Sequence, residues 1–516
     1  MPSIPSPDVP RDELPVDLLA EDVLRSHPAV RDAAALWDGD SIKAFVVADD
    51  SYLDEALGRE AAKATLLNKW RKTYDLSQRT KEAESAPLGF NILSWDSSYT
   101  GQPIPAAAMQ EWVDTTVADI LRLAPKRVYE IGCGTGLLLT RIAPHCEHYF
   151  GVDFAPSVAA RLREQLAALP TLANKVRVEE RIADNFDGIA QRSFDLVLIN
   201  SAAQYFPDHT YLTRVLEKSV EAVRSGGHIF IGDVRSLSLM RLFATSVEWF
   251  RCAYETTVGE LRNRIQRRIE VDPELVLNST YFLLLKERFP RISEVAIAPR
   301  KGYSDTEMTR YRYQAILKIE SESIAAPDVT FLNWADHQWT LDEISAMLRK
   351  RRDGSFGIQK IRNARLDQDL SILSRLEAAS DAATIGQLRH EPERTLIAGI
   401  DPQDLELEGK KAGFETFLSW RACRPDGSYD ALFVPTRSGD RDALPSVNWP
   451  APDASAFVRF ATSPRQGKLR NELVALLLDH CREMLPEKLL PTEIALVDML
   501  PRMLDGQVNR AALLIV

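Results

Sequence analysis

The stretch that decides the fold is Val128-Tyr-Glu-Ile-Gly-Cys-Gly-Thr-Gly-Leu-Leu138. A short β-rich run ends in glycines at 132, 134 and 136, and an apolar stretch from Leu137 to Ala143 follows with the look of a helix. Glycines let the backbone turn tightly and approach a ligand without Cβ interference, and the free N–H groups of a helix start favour negative charge. The loop is expected to hold a carboxylate- or phosphate-like group. Dinucleotide folds space their glycines as G-x-G-x-x-G. Here Leu137 occupies the diagnostic place, which weakens a hydride-transfer reading.

Working outward, strands and helices alternate from Arg127 to Glu320. Runs at Val128–Ile131, Tyr149–Asp153, Val176–Arg181, Phe194–Asn200 and His228–Asp233 are separated by amphipathic helices, which implies a parallel sheet with right-handed crossovers. After a helix at Thr280–Arg288, two more runs, Ile292–Ala298 and Tyr311–Lys318, close the sheet as a hairpin-like pair, making seven strands. Asp153, at the end of the second strand, has the spacing of a carboxylate that grips both hydroxyls of a ribose. Ala183-Asp184 and Asn200-Ser201 follow the third and fourth strands, at the carboxyl ends where open α/β sheets bind ligands. Asp184 suits an adenine amino group. The four positions together point to a nucleoside.

The rest of the chain is read from punctuation. Residues 1 to about 64 hold a Pro-rich lead, a helix-like stretch at Leu18–His27 and a strand at Ile42–Ala48. A helical segment, a Ser/Tyr/Gly/Pro-rich loop (Ser94–Pro105) and a helix at Ala106–Leu123, with Met109, Trp112, Val117 and Leu121 at helical spacing, precede the glycine loop. Beyond about 325 the chain is mixed α/β, with a linker around Ala443–Ser455 and a helix at Lys468–Leu485. The 516 residues, 45% of them hydrophobic, suffice for about three domains. Five scattered cysteines without a CxxC pair suggest neither a disulfide framework nor a zinc site, and His145 and His148 read as surface histidines, not a metal pair. The expectation is a cytoplasmic protein, because no export signal or apolar run of membrane length is visible. A net charge of −11 argues against a duplex nucleic-acid footprint. Two basic runs, Arg262–Arg268 and Arg349–Arg352, suit an acidic partner unless they are solvated helix faces.

Several motifs then match a known family. Trp95-Asp-Ser-Ser-Tyr-Thr-Gly-Gln-Pro-Ile-Pro105 with Met109 and Glu111-Trp112, Asn200-Ser-Ala-Ala-Gln-Tyr-Phe-Pro207, Gly232-Asp-Val-Arg-Ser236, Glu274-Leu-Val-Leu277 and Thr306-Glu-Met-Thr-Arg-Tyr-Arg-Tyr313 resemble the N-methyltransferase domains that interrupt adenylation domains of nonribosomal peptide synthetases. Asp96 and Thr306 stand where asparagine is usual in such domains. The resemblance implies a class I S-adenosylmethionine (SAM)-dependent methyltransferase, with a seven-stranded, Rossmann-like sheet, over residues 65–325 and an associated α/β segment over 326–440. The flanks, 1–64 and 441–516, resemble a split remnant of an adenylation C-terminal subdomain. His27-Pro-Ala-Val30 and Ala44-Phe-Val-Val47 match its early part, and Leu485–Pro491 and Leu500–Arg510 its end. Gln507 stands where that family has its catalytic lysine, and no Ser/Thr/Gly-rich nucleotide loop of an adenylating subdomain is visible, so adenylation is expected to be absent. The chain is thus expected to be a freestanding methyltransferase whose remnant serves as a scaffold.

The resemblance assigns SAM as cofactor, held by Trp95, Tyr99, Thr100, Met109, Glu130, Gly132, Cys133, Gly134, Asp153, Phe154, Ala183, Asp184, Asn200 and Ser201, with Trp95–Ile104 as a lid over its methionine end. Catalytic candidates are Asn200, Gln204, Tyr205, Asp233, Arg235, Glu307 and Tyr311, with Asp233 and Arg235 open to reading as a structural ion pair. Methyl transfer is a direct displacement, so alignment and exclusion of water matter more than a strong base. The expected acceptor is the α-amine of an amino acid tethered to a carrier protein, with other synthetase modules as further partners. Methylation of oxygen, carbon or a free small molecule is one alternative, and a non-catalytic interaction module another.

Overall fold

A computed structural model describes residues 16–37, 41–49, 51–52, 59–78, 80, 87–93, 95–321, 329–337, 339–351, 354–390, 398–436, 447–462, 466–503 and 505–513. The Pro-rich lead, Ser94, Arg352 and the start of the linker at 443–446 lie outside the described residues. The chain forms two compact units, one of residues 1–66 with 453–516 and one of residues 67–452.

The larger unit is built on a seven-stranded sheet: β1 Arg127–Ile131, β2 His148–Asp153, β3 Val176–Glu180, β4 Phe194–Asn200, β5 Val223–Arg235, β6 Ile292–Pro299 and β7 Arg312–Ile319. Its spatial order is β3-β2-β1-β4-β5-β7-β6. The first five strands run parallel, while β7 is antiparallel to both its neighbours. The order reverses beside β1, so the carboxyl ends of β1 and β4 flank a crevice. Every residue of β4 is buried and only Arg127 of β1 is exposed. Parallel strands covered on both faces are mostly apolar, as Val128, Tyr129 and Ile131 of β1 and Leu196–Ile199 of β4 are, with Glu130 and Asp195 as buried exceptions. Edge strand β3 instead buries only Val178 fully. Leu139, Ile142, Leu162, Leu166 and Tyr149 pack with Met109, Val113 and Ile120 of the helix Ala106–Leu121 in the core beneath the glycine loop.

The expected helix at 137–143 is much shorter. Only Leu139–Ile142 is α-helical, followed by a 3-10 turn at Ala143–His145. The turn of the glycine loop runs on through Leu138, and Pro144 has no N–H to continue the α-helical ladder, although Ala143 before it keeps a helical conformation. Strand β5 also starts at Val223 rather than His228.

The same unit carries a four-stranded sheet in the order Phe331–Asn333, Phe356–Ile361, Tyr429–Pro435, Phe414–Ser419. In the smaller unit, Val30–Trp37 pairs antiparallel with Ile42–Ala48, which pairs parallel with Pro491–Leu496. Residues from both ends of the chain meet in its core: Leu24, Ala33 and Val46 pack with Leu473, Leu477 and Cys481. Buried Glu21 ties the ends together, accepting from the Ala35 amide (2.9 Å), Arg25 (3.0 Å) and Arg510 (2.6 Å). Among the described residues no helix is long and apolar enough to cross a membrane, and all five cysteines are unpaired.

Candidate functional site

A cavity of about 310 Å³ opens at the carboxyl ends of β1, β2 and β4. Gly132 and Gly134 turn through it with φ of 80° and 49°. A Cβ at Gly132 would lie 2.7 Å from the Cβ of Ala202, and one at Gly134 would lie 2.9 Å from the Tyr74 hydroxyl, so both positions need the missing side chain as well as the left-handed φ. Within the loop, the Gly132 and Cys133 amides donate to the Val152 carbonyl at 2.8 and 3.1 Å. The Gly134 amide donates to Asp153 Oδ2 at 2.9 Å, and the Ala155 amide to Oδ1 at 2.9 Å, so the chain's own carboxylate takes the place of an external one. Burial pushes the Asp153 carboxyl up to about 6 against the pull of these amides. Glu130, buried at the end of β1 and accepting from the Tyr149 hydroxyl at 2.9 Å, is pushed by burial up to about 7.

Of the residues expected at the site, Trp95, Glu130, Gly132, Cys133, Gly134, Asp153, Phe154, Ala183, Asn200, Ser201 and Tyr205 line this cavity. The others do not. Met109 is fully buried in the core, and Thr100 is exposed, its hydroxyl accepting from the Gln102 amide at 3.1 Å. The Tyr99 hydroxyl turns to Ser246 (3.0 Å) and Tyr311 (3.4 Å). The Asp184 carboxylate accepts from Tyr211 at 3.0 Å, and it is Tyr211 that faces the cavity. Gln204 is buried away from the opening, its carbonyl accepting from the Leu275 amide at 2.7 Å. Tyr311 donates to buried Asp369 at 2.5 Å. Glu307 accepts from the Ser98 amide and hydroxyl, both at 2.8 Å, and so fastens the loop that carries Trp95.

Asp233 and Arg235 are not paired with each other. Arg235 is held in a two-pronged grip by Asp272 (2.8 and 2.7 Å) with Glu274 at 2.9 Å. Asp233 is fully buried and accepts from Arg312 at 2.6 Å, from the Ser201 hydroxyl at 2.7 Å and from the Trp112 ring N–H at 3.4 Å. Ser201 Oγ in turn accepts from Asn200 Nδ2 at 3.1 Å. Both Ser201 and Asp233 have positive φ, 53° and 62°, a strained state that surrounding structure must enforce. The chain Arg312–Asp233–Ser201–Asn200 therefore fixes the amide of Asn200 from behind the cavity wall.

The helix Arg59–Ser77 contributes residues that the sequence reading missed. Trp70, Tyr74 and the following Gln78 line the cavity at a spacing of four, one face of a helix, and that periodicity was the available signal. Trp70 packs on Tyr205 with ring centres 4.8 Å apart, and Tyr74 lies near-parallel to Phe154. Burial pushes the Tyr205 phenol up to about 12, so it is a neutral donor at neutral pH, not a base. Trp112, Asn91, Arg181 and Tyr211 complete the wall.

Residues 129–229 match the family model described as "Methyltransferase domain". The chain carries a methyltransferase domain. Its sheet, with five parallel strands and the antiparallel β7 between β5 and β6, has the topology expected of a class I methyltransferase, whose expected cofactor is SAM. Over 96% of its length the chain is similar to the chondramide synthase cmdD of Chondromyces crocatus (34% identity, 13% of that protein). It is similar over the same share to the beauvericin nonribosomal cyclodepsipeptide synthetase of Beauveria bassiana (28% identity, 16% of that protein). The chain thus spans less than a fifth of these relatives. Among solved structures it is similar to the N-methyltransferase NodS of Bradyrhizobium japonicum WM9, at 19% identity over 40% of this chain and 96% of that one, with a TM-score of 0.28. The residues present suit the cofactor: a carboxylate at the tip of β2 and aromatic walls enclose the cavity. Two buried polar atoms of its lining, Trp70 Nε1 and Asn200 Oδ1, have no partner among the described residues.

Proposed function

We propose that the chain N-methylates the α-amine of an amino acid held as a thioester on a carrier protein during nonribosomal peptide assembly, in the cytoplasm. What carries this reading is the similarity of 96% of the chain to segments of peptide synthetases, including parts outside the methyltransferase match. The site chemistry supports it. Bound SAM supplies a methyl carbon activated by a sulfonium. Asp153, when ionised, would accept from the ribose hydroxyls, and Glu130, Trp95, Ala183 and Phe154, which line the same cavity, would enclose the rest of the cofactor. An α-amine with a pKa of about 8 is partly neutral near pH 7, so it needs an acceptor to orient it rather than a strong base. Asn200 provides that acceptor, and its amide is set by Ser201, Asp233 and Arg312. Tyr205 donates from the same strand-end loop. Asp233, Arg235, Glu307 and Tyr311 act as positioning residues.

The smaller unit is the adenylation remnant, with exposed Gln507 in place of the catalytic lysine, and it does not adenylate. The test is to incubate the protein with methyl-labelled SAM and either an aminoacyl carrier protein or the free amino acid, then read both by mass. A gain of one methyl on the carrier-borne amine is expected. Labelling of the free amino acid alone overturns the reading, as does failure to bind SAM.

A further inference from the structure

The helix Val258–Glu270 carries the basic run noted in the sequence, and the fold divides its arginines into two groups. Arg262 is used internally, bound to Asp381 and to the carbonyls of Leu376 and Ala379. Arg268 pairs with Glu248 at 2.9 Å. Arg264 and Arg267 face solvent and, among the described residues, form no ion pair. In a chain of net charge −11, two exposed arginines three residues apart on one helix, Arg264 near Glu260 and Arg267 with no ion pair among the described residues, make a local basic surface.

The neighbouring surface is apolar as well as basic. Phe250 and Tyr254 are 57% and 55% exposed, with the Arg389 guanidinium 4.9 Å over the Tyr254 ring. The basic helix packs against the aromatic turn: Leu261 and Ile265 share a buried cluster with Cys252, and Arg268 binds Glu248, two residues before Phe250. This face also touches the loop that carries Trp95. Phe250 packs edge-on against Tyr99 at 5.6 Å, and exposed Arg251, another arginine without an ion pair among the described residues, donates to the Tyr99 carbonyl at 3.1 Å. Four residues before Tyr99, Trp95 lines the cofactor cavity. Exposed aromatics beside exposed arginines match the composition of protein-binding surfaces, where Arg and aromatic residues supply the anchors.

We propose that the face formed by Phe250, Arg251, Tyr254, Arg264 and Arg267 docks an acidic carrier domain, so that its tethered amino acid enters beside the Trp95–Pro103 loop. This rests on the reading that the acceptor is carrier-borne. The cations steer and orient the acidic partner, while Phe250 and Tyr254 supply the apolar contact, an arrangement whose electrostatic part weakens with salt.

The test compares wild type with the double variant Arg264→Glu/Arg267→Glu on two substrates bearing the same amino acid, an aminoacyl carrier domain and an aminoacyl-pantetheine thioester. Reversal of both charges is expected to lower kcat/KM at least about tenfold for the carrier-borne substrate at low salt, with the difference shrinking at high salt. Methylation of the pantetheine thioester stays unchanged, which shows that the variant is folded and its site intact. Equal loss on both substrates, or none on the carrier, overturns the proposal. Failure of the wild type to methylate either substrate refutes carrier-borne N-methylation instead. Docking is then judged by fluorescence anisotropy of labelled holo carrier domain, where binding no tighter to wild type than to the variant overturns it.

Discussion

Removing the carboxylate of Asp233 tests whether the buried chain behind Asn200 is a structural unit. In Asp233→Ala, Arg312 loses its 2.6 Å partner while its side chain remains 13% exposed. The Ser201 hydroxyl loses its acceptor at 2.7 Å. Breaking a buried ion pair by deleting one side costs about 3–5 kcal/mol, because the remaining charge is left without compensation. Glu307, 3.9 Å from Arg312, offsets part of this, so the lower end, about 3 kcal/mol, is expected. Asp233→Asn separates charge from backbone strain, since asparagine also tolerates the left-handed φ of 62°. The assay is urea unfolding of Asp233→Ala, Arg312→Met and the double variant. Loss of both charges is expected to cost less than the sum of the single losses by at least about 2 kcal/mol. Calorimetry should show SAM binding changed far less than kcat, because Asp233 acts through Asn200. An Asp233→Ala variant within about 1 kcal/mol of wild type, or additive losses in the double variant, would refute the reasoning.

Two further outcomes follow from the cavity. Asp153 must be ionised to accept from the ribose, and with its carboxyl pushed up to about 6 it takes up a proton as pH falls through that value. The SAM Kd should therefore rise about tenfold from pH 7 to pH 5 by titration calorimetry. Glu130→Gln should keep that slope and Asp153→Asn should lose it; a flat wild-type profile contradicts the assignment. Gly232→Ala would put a Cβ 2.0 Å from Asn200 Oδ1 and 2.7 Å from the Phe230 ring. A stability loss of about 1–3 kcal/mol with a collapse in kcat is expected. Thermal unfolding should show partial recovery in Asn200→Ala/Gly232→Ala, whereas equal loss in single and double variants would place the clash at Phe230 instead.

Much of the fold was legible because parallel strands advertise themselves. Within Phe194–Asn200 the four residues Leu196–Ile199 form an unbroken apolar run just before the polar pair Asn200-Ser201, and the structure buries the whole strand. The glycine loop and Asp153 were legible for a related reason: their spacing is fixed by local backbone geometry and by strand length. The helix at 137–143 is shorter than expected because the turn of the glycine loop extends through Leu138 and Pro144 ends the ladder. Trp70 and Tyr74 were overlooked because the helix that carries them lies more than fifty residues before the glycine loop, and only packing brings it over the cavity.

What the sequence by itself determined is the strand-turn-strand frame and the identities of the groups at its tips, because tight turns and buried strands depend on near neighbours. Partner choice was decided only in three dimensions. Asp233 and Arg235 are two residues apart, yet one binds Arg312 and the other Asp272 and Glu274. Arg262 and Arg264 are equally close, yet one is consumed internally and the other faces solvent. A charge takes whichever opposite charge the packed fold brings within a few ångströms while removing water, and that distance is set by tertiary packing, not by the order of residues along the chain.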